Sequence, residues 1–377
     1  MFLAIRDIRF AKGRFALMGG VVALITLLLV MLSGLTAGLA DQSTSAIAKL
    51  GAGNTGPGTS GPVDRIVFGA PGTSEPKASF TESEVTAAQI ESWKNQPGVG
   101  NAEAVGISQT RFQSVAGGSG AAAGTTNVAV FGVSQDGQLA PSPVTSDTVV
   151  IGKTVAAALS LNTGDRASVG GTELTVSAVV EDQWYSHTSV VWTALPTWSR
   201  LSHLTDPEQL GTVGAITYND GATVDEAAAN AAARTVSDSR TGSFQALGSF
   251  KSENGSLALM QAFLYGISAL VIVAFLTVWT VQRTRDIAVL KAMGAAGSYI
   301  LRDAITQAAI VLLAGAGIGG ALGILGGFFA AQAAPFLVNP ATTLLPILGI
   351  VVLGLAGAAL AVRRVTKVDA LIALGGN

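Results

Sequence analysis

The chain has 377 residues, no cysteine, a formal charge of only −2, and 49% hydrophobic against 12% charged side chains. Without cysteine, disulfides and thiolate metal sites are excluded, so any aqueous domain must be held by burial alone. No nucleic-acid partner is expected.

Residues 1–14 alternate apolar Phe2, Ile5, Ile8 and Phe10 with Arg6, Arg9 and Lys12 at helical spacing, which suits a helix lying in the inner membrane interface. An ordinary basic flank to a membrane anchor would read the same way. Residues 15–40 then form the first of four stretches free of Lys, Arg, Asp and Glu. The others are 257–281, 304–332 and 344–362. At about 1.5 Å per helical residue, each can cross a hydrocarbon core of about 30 Å. A second reading of the first stretch is a cleaved secretory signal, with Gly38 and Ala40 before Asp41. Its apolar run is about twice a usual signal core, which favours an uncleaved anchor.

The expected fold is a polytopic α-helical membrane protein with four transmembrane helices. A mixed α+β extracytoplasmic domain, residues 41–256, is inserted between the first and second helices. Within it, Gly- and Pro-rich 51–76 reads as loop around a strand at Arg65–Phe68. Thr81 and Glu84 have capping-box spacing ahead of Val85, Ala88, Ile90 and Trp93, and Pro97–Gly98 close that helix. Strands are expected near 103–115 and 126–133 around a flexible tip at Gly117–Gly124. Next come strand 148–151, helix 153–160, a turn at Asn162–Asp165, and strands 166–170 and 173–180. Strand 188–193, helix 196–203, strand 212–218 and a helix opened by Thr223 and Glu226 complete a domain of two small lobes.

Charge sets the orientation. The flanks of the apolar stretches, 1–14, 282–303 and 363–377, hold eleven basic residues against four carboxylates, whereas 41–256 holds eleven against twenty. Short basic loops stay in the cytoplasm while long domains cross largely regardless of charge. Both termini are therefore expected in the cytoplasm and the large domain outside. In the third span, Gly315, Gly319, Gly323 and Gly327 recur every fourth residue on one face. Such a face allows close backbone approach, either within one subunit or as a sliding or dimerising surface.

Two apparent motifs fail. Gly152-Lys153-Thr154 resembles the end of a phosphate-binding loop, but its first glycine would fall at Asp147. His187 and His203 have no familiar metal-ligand spacing, and nothing supports a Ser–His–Asp arrangement. Neither catalytic residues nor an intrinsic cofactor are expected.

The loop 282–303 carries the most specific signal. Its run Arg283-Thr-Arg285-Asp286-Ile-Ala-Val-Leu290-Lys291-Ala-Met-Gly294 continues a helix out of the membrane with an apolar stripe at Ile287, Leu290 and Met293. The run resembles the signature of FtsX/MacB-type ABC permeases (type VII), as do the N-terminal LAIRDIRFAKGRF and the C-terminal RRVTKVDALI. That resemblance implies a coupling helix seated in a cytoplasmic ABC ATPase, two copies of which would serve a homodimer of this chain in membrane lipid. ATP would be bound by the partner, and motion would pass outward by mechanotransmission.

Within the family the chain is similar to haem-exporting permeases, especially of corynebacterial type. The implied substrate is haem, captured between the outer-leaflet ends of the first two spans. Met31, Ser33, Thr36, Met260, Gln261, Phe263 and Tyr265 fall there, with Lys49 close in sequence. Tyr265 or Met260 would ligate the iron, Phe263 would stack on the macrocycle, and Lys49 would pair a propionate. The bland alternatives are an interfacial tyrosine and a gap-filling methionine. Other functions compatible with the same family are a scaffold controlling a cell-wall hydrolase, and export of peptides or lipids.

Overall fold

The computed structural model describes residues 12–52, 62–115, 124–204, 206–282, 289, 293–294 and 296–366. The expected interfacial helix before Lys12, most of the hairpin tip 117–124 and the tail beyond Thr366 lie outside these residues. Two compact units result: Met1–Leu39 with Asn254–Asn377, and Ala40–Glu253.

Among the described residues, the first unit holds the greater part of four long helices, α1 (Lys12–Ala48), α6 (Gly248–Gln282), α7 (Gly297–Ala330) and α8 (Pro340–Thr366); the end of α1 and the start of α6 belong to the second unit. Each contains a stretch long and apolar enough to cross a membrane. Lipid offers helices no hydrophobic reason to associate, so close packing must hold them together. The glycine face of α7 supplies it. A methyl group on Gly315 would sit 2.7 Å from the Gly19 carbonyl oxygen, and one on Gly323 would sit 2.8 Å from Val30 Cγ1. One on Gly319 would strike the Ala23 carbonyl, and one on Gly327 the Phe336 ring. Three of these four glycines therefore meet α1 of the same chain. Gly320, off that face, meets Ile347 on α8.

Among its described residues the second unit holds twelve strands: β1 (Arg65–Phe68), β2 (Val85–Thr86), β3 (Val99–Ser114), β4 (Thr125–Val133), β5 (Thr148–Gly152), β6 (Arg166–Val169), β7 (Thr172–Val180), β8 (Trp184–Tyr185), β9 (Thr188–Ala194), β10 (Gln209–Gly211), β11 (Val213–Tyr218) and β12 (Val236–Ser239). Four short helices join them: α2 (Ala87–Lys94), α3 (Lys153–Leu159), α4 (Leu195–Leu201) and α5 (Glu226–Ala233). The expected two lobes share one ten-stranded sheet. Strands β3-β4-β9-β5-β7-β6 close into a barrel because β6 returns to pair Phe112–Ser114 of β3. The first half of β3 pairs instead with β11, which leads to β1 and β12.

Alternation along the strands fills both sides of that sheet. Phe112, Val128, Val130, Val149, Ile151, Val169, Val176 and Val191 form one core. Their sequence neighbours Ala129, Phe131, Val150, Val190 and Trp192 form another, with Ile47, Leu50, Phe68 and Tyr185. Gly106 and Gly132 lie directly opposite each other on β3 and β4. The buried Trp198 of α4 lies over both, and a β-carbon on either would collide with it.

Two helix starts differ from expectation. α2 is capped by Thr86 with Gln89, not by Thr81 with Glu84. Val85 and Thr86 are held in extended form by pairing with β10, and Ser83 is occupied in bonds to Gly69 N and the Thr212 carbonyl. The helix therefore starts only where that pairing ends. α5 is capped by Asp225, whose carboxylate accepts from Ala228 N, rather than by Thr223.

Glu103 on β3 is largely enclosed, and its burial raises the carboxyl pKa despite hydrogen bonds from Asn101 and the Gln138 backbone. A raised native pKa means that folding takes up a proton, so this group's contribution to stability falls as pH rises through the carboxylate range, from about 4.3 upward. Glu103→Gln should remove that component, so the stability difference between variant and wild type in denaturant titrations should grow as pH rises from 4 toward neutrality. A constant difference would contradict it. Gly132→Val should cost roughly 1–3 kcal/mol through overpacking against Trp198, read as a lowered denaturation midpoint.

Candidate functional site

The segments expected to carry function lie at the two ends of the long helices. Beyond Gln282, residues Arg283, Arg285, Asp286, Leu290 and Lys291 lie outside the described residues. Val289 and Met293 are exposed and share a helical turn, with Met293 N donating to the Val289 carbonyl at 3.0 Å. Gly294 follows with φ +93°, a left-handed conformation that ends the turn and that a side chain would resist. The chain then extends at Ala296 and re-enters helix as α7.

At the other end, Gln261 on α6 donates through Nε2 to Thr36 Oγ1 on α1 at 3.1 Å. Thr36 in turn donates to its own helix at the Leu32 carbonyl. This short polar chain ties α1 to α6 where hydrocarbon would otherwise surround both groups. Around it the expected ligand residues part company. Met260 and Phe263, about 60° apart around the helix, are 50% and 64% exposed. Tyr265 lies about 140° from Met260 and packs across Gly349 of α8, where an added methyl would sit 2.9 Å from Cε1. Met31 faces α7, its sulfur 3.2 Å from where a methyl on Gly326 would lie. Lys49 belongs to the other unit and is exposed. Helical geometry thus keeps Met260 and Tyr265 from approaching one flat ligand from the same side.

Sequence reasoning missed a cluster in the inserted domain. The β8–β9 hairpin turns at Ser186 and His187, whose φ values of 47° and 61° make a two-residue turn with both centres left-handed. His187 Nε2 lies 3.1 Å from Ser43 Oγ and 2.8 Å from Glu253 Oε2. Serine, histidine and glutamate thus meet, but both partners address one nitrogen. A nucleophilic triad needs the acid on Nδ1 and the hydroxyl on Nε2. The arrangement is a hydrogen-bonded junction and offers no activated nucleophile. Sequence separations of 144 and 66 residues hid it.

Two of the grooves on the described surface differ sharply in character. One of about 650 Å³ in the inserted domain is lined by Gln109, Arg111, Gln113, Asn127 and Thr188, too polar for a flat apolar ligand. Another of about 460 Å³ runs along Phe15, Ala16, Gly19, Ile310 and Ile318 of α1 and α7.

Comparison with known proteins matches residues 15–234 to the MacB-like periplasmic core domain and 242–370 to the FtsX-like permease C-terminal region. The hemin transport system permease HrtB of Staphylococcus epidermidis is 29% identical over 131 residues, and that of Staphylococcus haemolyticus 31% over 130. These stretches are 35% and 34% of this chain, and the chain spans 37% of each relative's length. An uncharacterised ABC transporter permease of Mycobacterium tuberculosis is 24% identical over 100% of the chain and 99% of its own length. Among solved structures, the extracellular domain of the transporter YknZ aligns at TM-score 0.31 and 15% identity, covering 42% of this chain and 85% of that one. The periplasmic region of MacB from Actinobacillus actinomycetemcomitans aligns at 0.33 and 12%, covering 52% and 92%. Such permeases work with an ATPase and carry an extracytoplasmic domain between membrane helices. This chain belongs to the FtsX/MacB-type ABC transporter permeases, with a MacB-like core domain inserted ahead of an FtsX-like C-terminal region.

Proposed function

We propose that this permease extrudes haem from the membrane as a homodimer, driven by two copies of a separate cytoplasmic ATPase. The stretch of similarity to the staphylococcal hemin transport permeases carries this reading. Haem is flat, largely apolar and dianionic, and it partitions into bilayers, so lateral capture between helices avoids the cost of an aqueous pore. Met260 and Phe263 offer a thioether and an aromatic face on the exposed side of α6, next to the Thr36–Gln261 bond. Tyr265, committed to Gly349, serves as a packing residue in this arrangement.

The charge distribution supports cytoplasmic termini, with 282–303 on the same side, ready to receive the ATPase. Closure of the ATPase pair would press on Arg283–Lys291. The left-handed Gly294 would keep that lever distinct from α7, and the motion would pass into α6 and α7.

Arg285→Glu with Lys291→Glu should abolish haem efflux from loaded proteoliposomes while the ATPase subunit continues to hydrolyse ATP. Full efflux in that variant would refute the coupling role. Purified wild-type protein given haem should develop a Soret band. Met260→Leu should weaken binding about ten-fold, the effect of roughly 1.4 kcal/mol, and change the visible spectrum, whereas Tyr265→Phe should leave it unchanged. A wild-type protein without a Soret band would sink the haem reading.

A further inference from the structure

The β8–β9 turn does more than reverse the chain. Ser186 N donates to the Ser43 carbonyl at 3.1 Å and His187 N to the Gln42 carbonyl at 3.0 Å, so the turn's backbone sits on α1. Ser186 Oγ lies 3.1 Å from Ser249 Oγ, and His187 Nε2 lies 2.8 Å from Glu253 Oε2, so its side chains reach α6. Nε2 also meets Ser43 Oγ. One imidazole therefore joins the last turns of α1 to the first turns of α6, the two helices through which the chain enters and leaves the inserted domain.

The turn is held in a conformation that non-glycine residues avoid. Left-handed φ at two successive positions is most at home with Asn or Gly; among other residues histidine accepts it more readily than most, serine less so. Strain of this kind persists only where surrounding contacts over-determine it, and the five contacts to α1 and α6 do so. A histidine at this position tolerates the left-handed backbone and adds reach, since its ring spans from the turn to both helices.

We propose that His187 is a positioning residue that clasps the α1 and α6 ends into one body, so that movement driven from the cytoplasmic side cannot displace one without the other. The proposal rests on the permease assignment and does not depend on the substrate. Ser43 and Glu253 are its partners, and the Ser186–Ser249 contact is the second point of attachment.

The cysteine-free chain allows a direct test. Spin labels at Ala48→Cys, on the last residue of α1, and Lys251→Cys, exposed on α6, report the separation of the clasped segments in the full-length protein. The wild-type chain with its ATPase should give one narrow distance, the same with and without ATP. His187→Asn keeps a residue suited to the left-handed turn but cannot span both helices. It should raise the unclasped population about ten-fold, the worth of one hydrogen bond to a charged group, and broaden the distribution further during turnover. Glu253→Ala should do the same, while Glu253→Gln, whose amide can still meet Nε2, should retain the narrow peak. An unchanged distribution in both His187→Asn and Glu253→Ala overturns the proposal. So does a wild-type distance that ATP broadens as much as in the variants. Failure of wild-type haem efflux would leave these distances untouched and would count only against haem as the substrate.

Discussion

The contact on which the membrane part depends is the near-touch of α7 against α1. Inside hydrocarbon, leucine is no better buried between helices than against lipid, so association comes from backbone proximity and close van der Waals fit. Gly315, Gly319 and Gly323 place the α7 surface within contact of Gly19, Ala23 and Val30. Gly34 and Gly38 on α1 extend the seam by admitting Phe336 and the Pro335 carbonyl from the segment after α7. The consequence is a division of labour among the helices. α7 is 44% buried along its most apolar stretch, α6 only 17%. α6 still contributes Ile272 and Leu276 to the buried core of the helices, and it meets its neighbours through Gln261 on Thr36, Tyr265 on Gly349, Val273 on Gly357 and the edge-on Phe15–Trp279 pair. The least buried of these helices has the least intrachain contact to lose in shifting against its neighbours.

The inserted domain is organised by a different constraint. β3 is long enough to belong to two arrangements at once, the closed barrel and the β11-β1-β12 extension. Because alternate residues point to opposite faces, a one-residue slip along β3 would move Phe112 out of the barrel core and place Arg111 or Gln113 inside it. The facing pair Gly106 and Gly132 fixes the same register from another direction, since only there can the Trp198 indole lie flat on the sheet. The absence of cysteine is thus met by geometry. Register, core alternation and one tryptophan over two glycines agree on a single arrangement.

What could be read in advance followed from how local each signal was. The four spans were legible because a charge-free run of sufficient length has few other uses. β1, β4, β5, β7 and β9 were legible because β-branched residues run between turn signals. β2, β10 and β12 were not, because each is short and takes its strand character from a partner far away, as Val85 and Thr86 do from Gly211 and Gln209. The misplaced start of α2 has the same origin. Thr81–Glu84 and Thr86–Gln89 both satisfy a capping spacing, and only long-range pairing at residue 85 decides between them. Family membership was legible in the Arg283–Gly294 run, whose pattern of charges along an apolar stripe matches the family signature.

The candidate site shows the limit of reasoning by neighbourhood in sequence. Met260, Phe263 and Tyr265 lie within two helical turns and seem to form one ligand set, yet a helix rotates about 100° per residue and separates them. Gly349 settles the division. With no side chain at that position, α8 leaves a place that the Tyr265 ring fills, which commits the tyrosine to intrachain packing. The exposed pair Met260 and Phe263 has no such commitment among the described residues, and it projects from the helix least buried by its own chain. A ligand seated on that face would therefore lie against α6 and sense its displacement directly. Under the proposed function α6 would carry the substrate contact, and α1 and α7, packed closely through glycine, would provide the frame against which it moves.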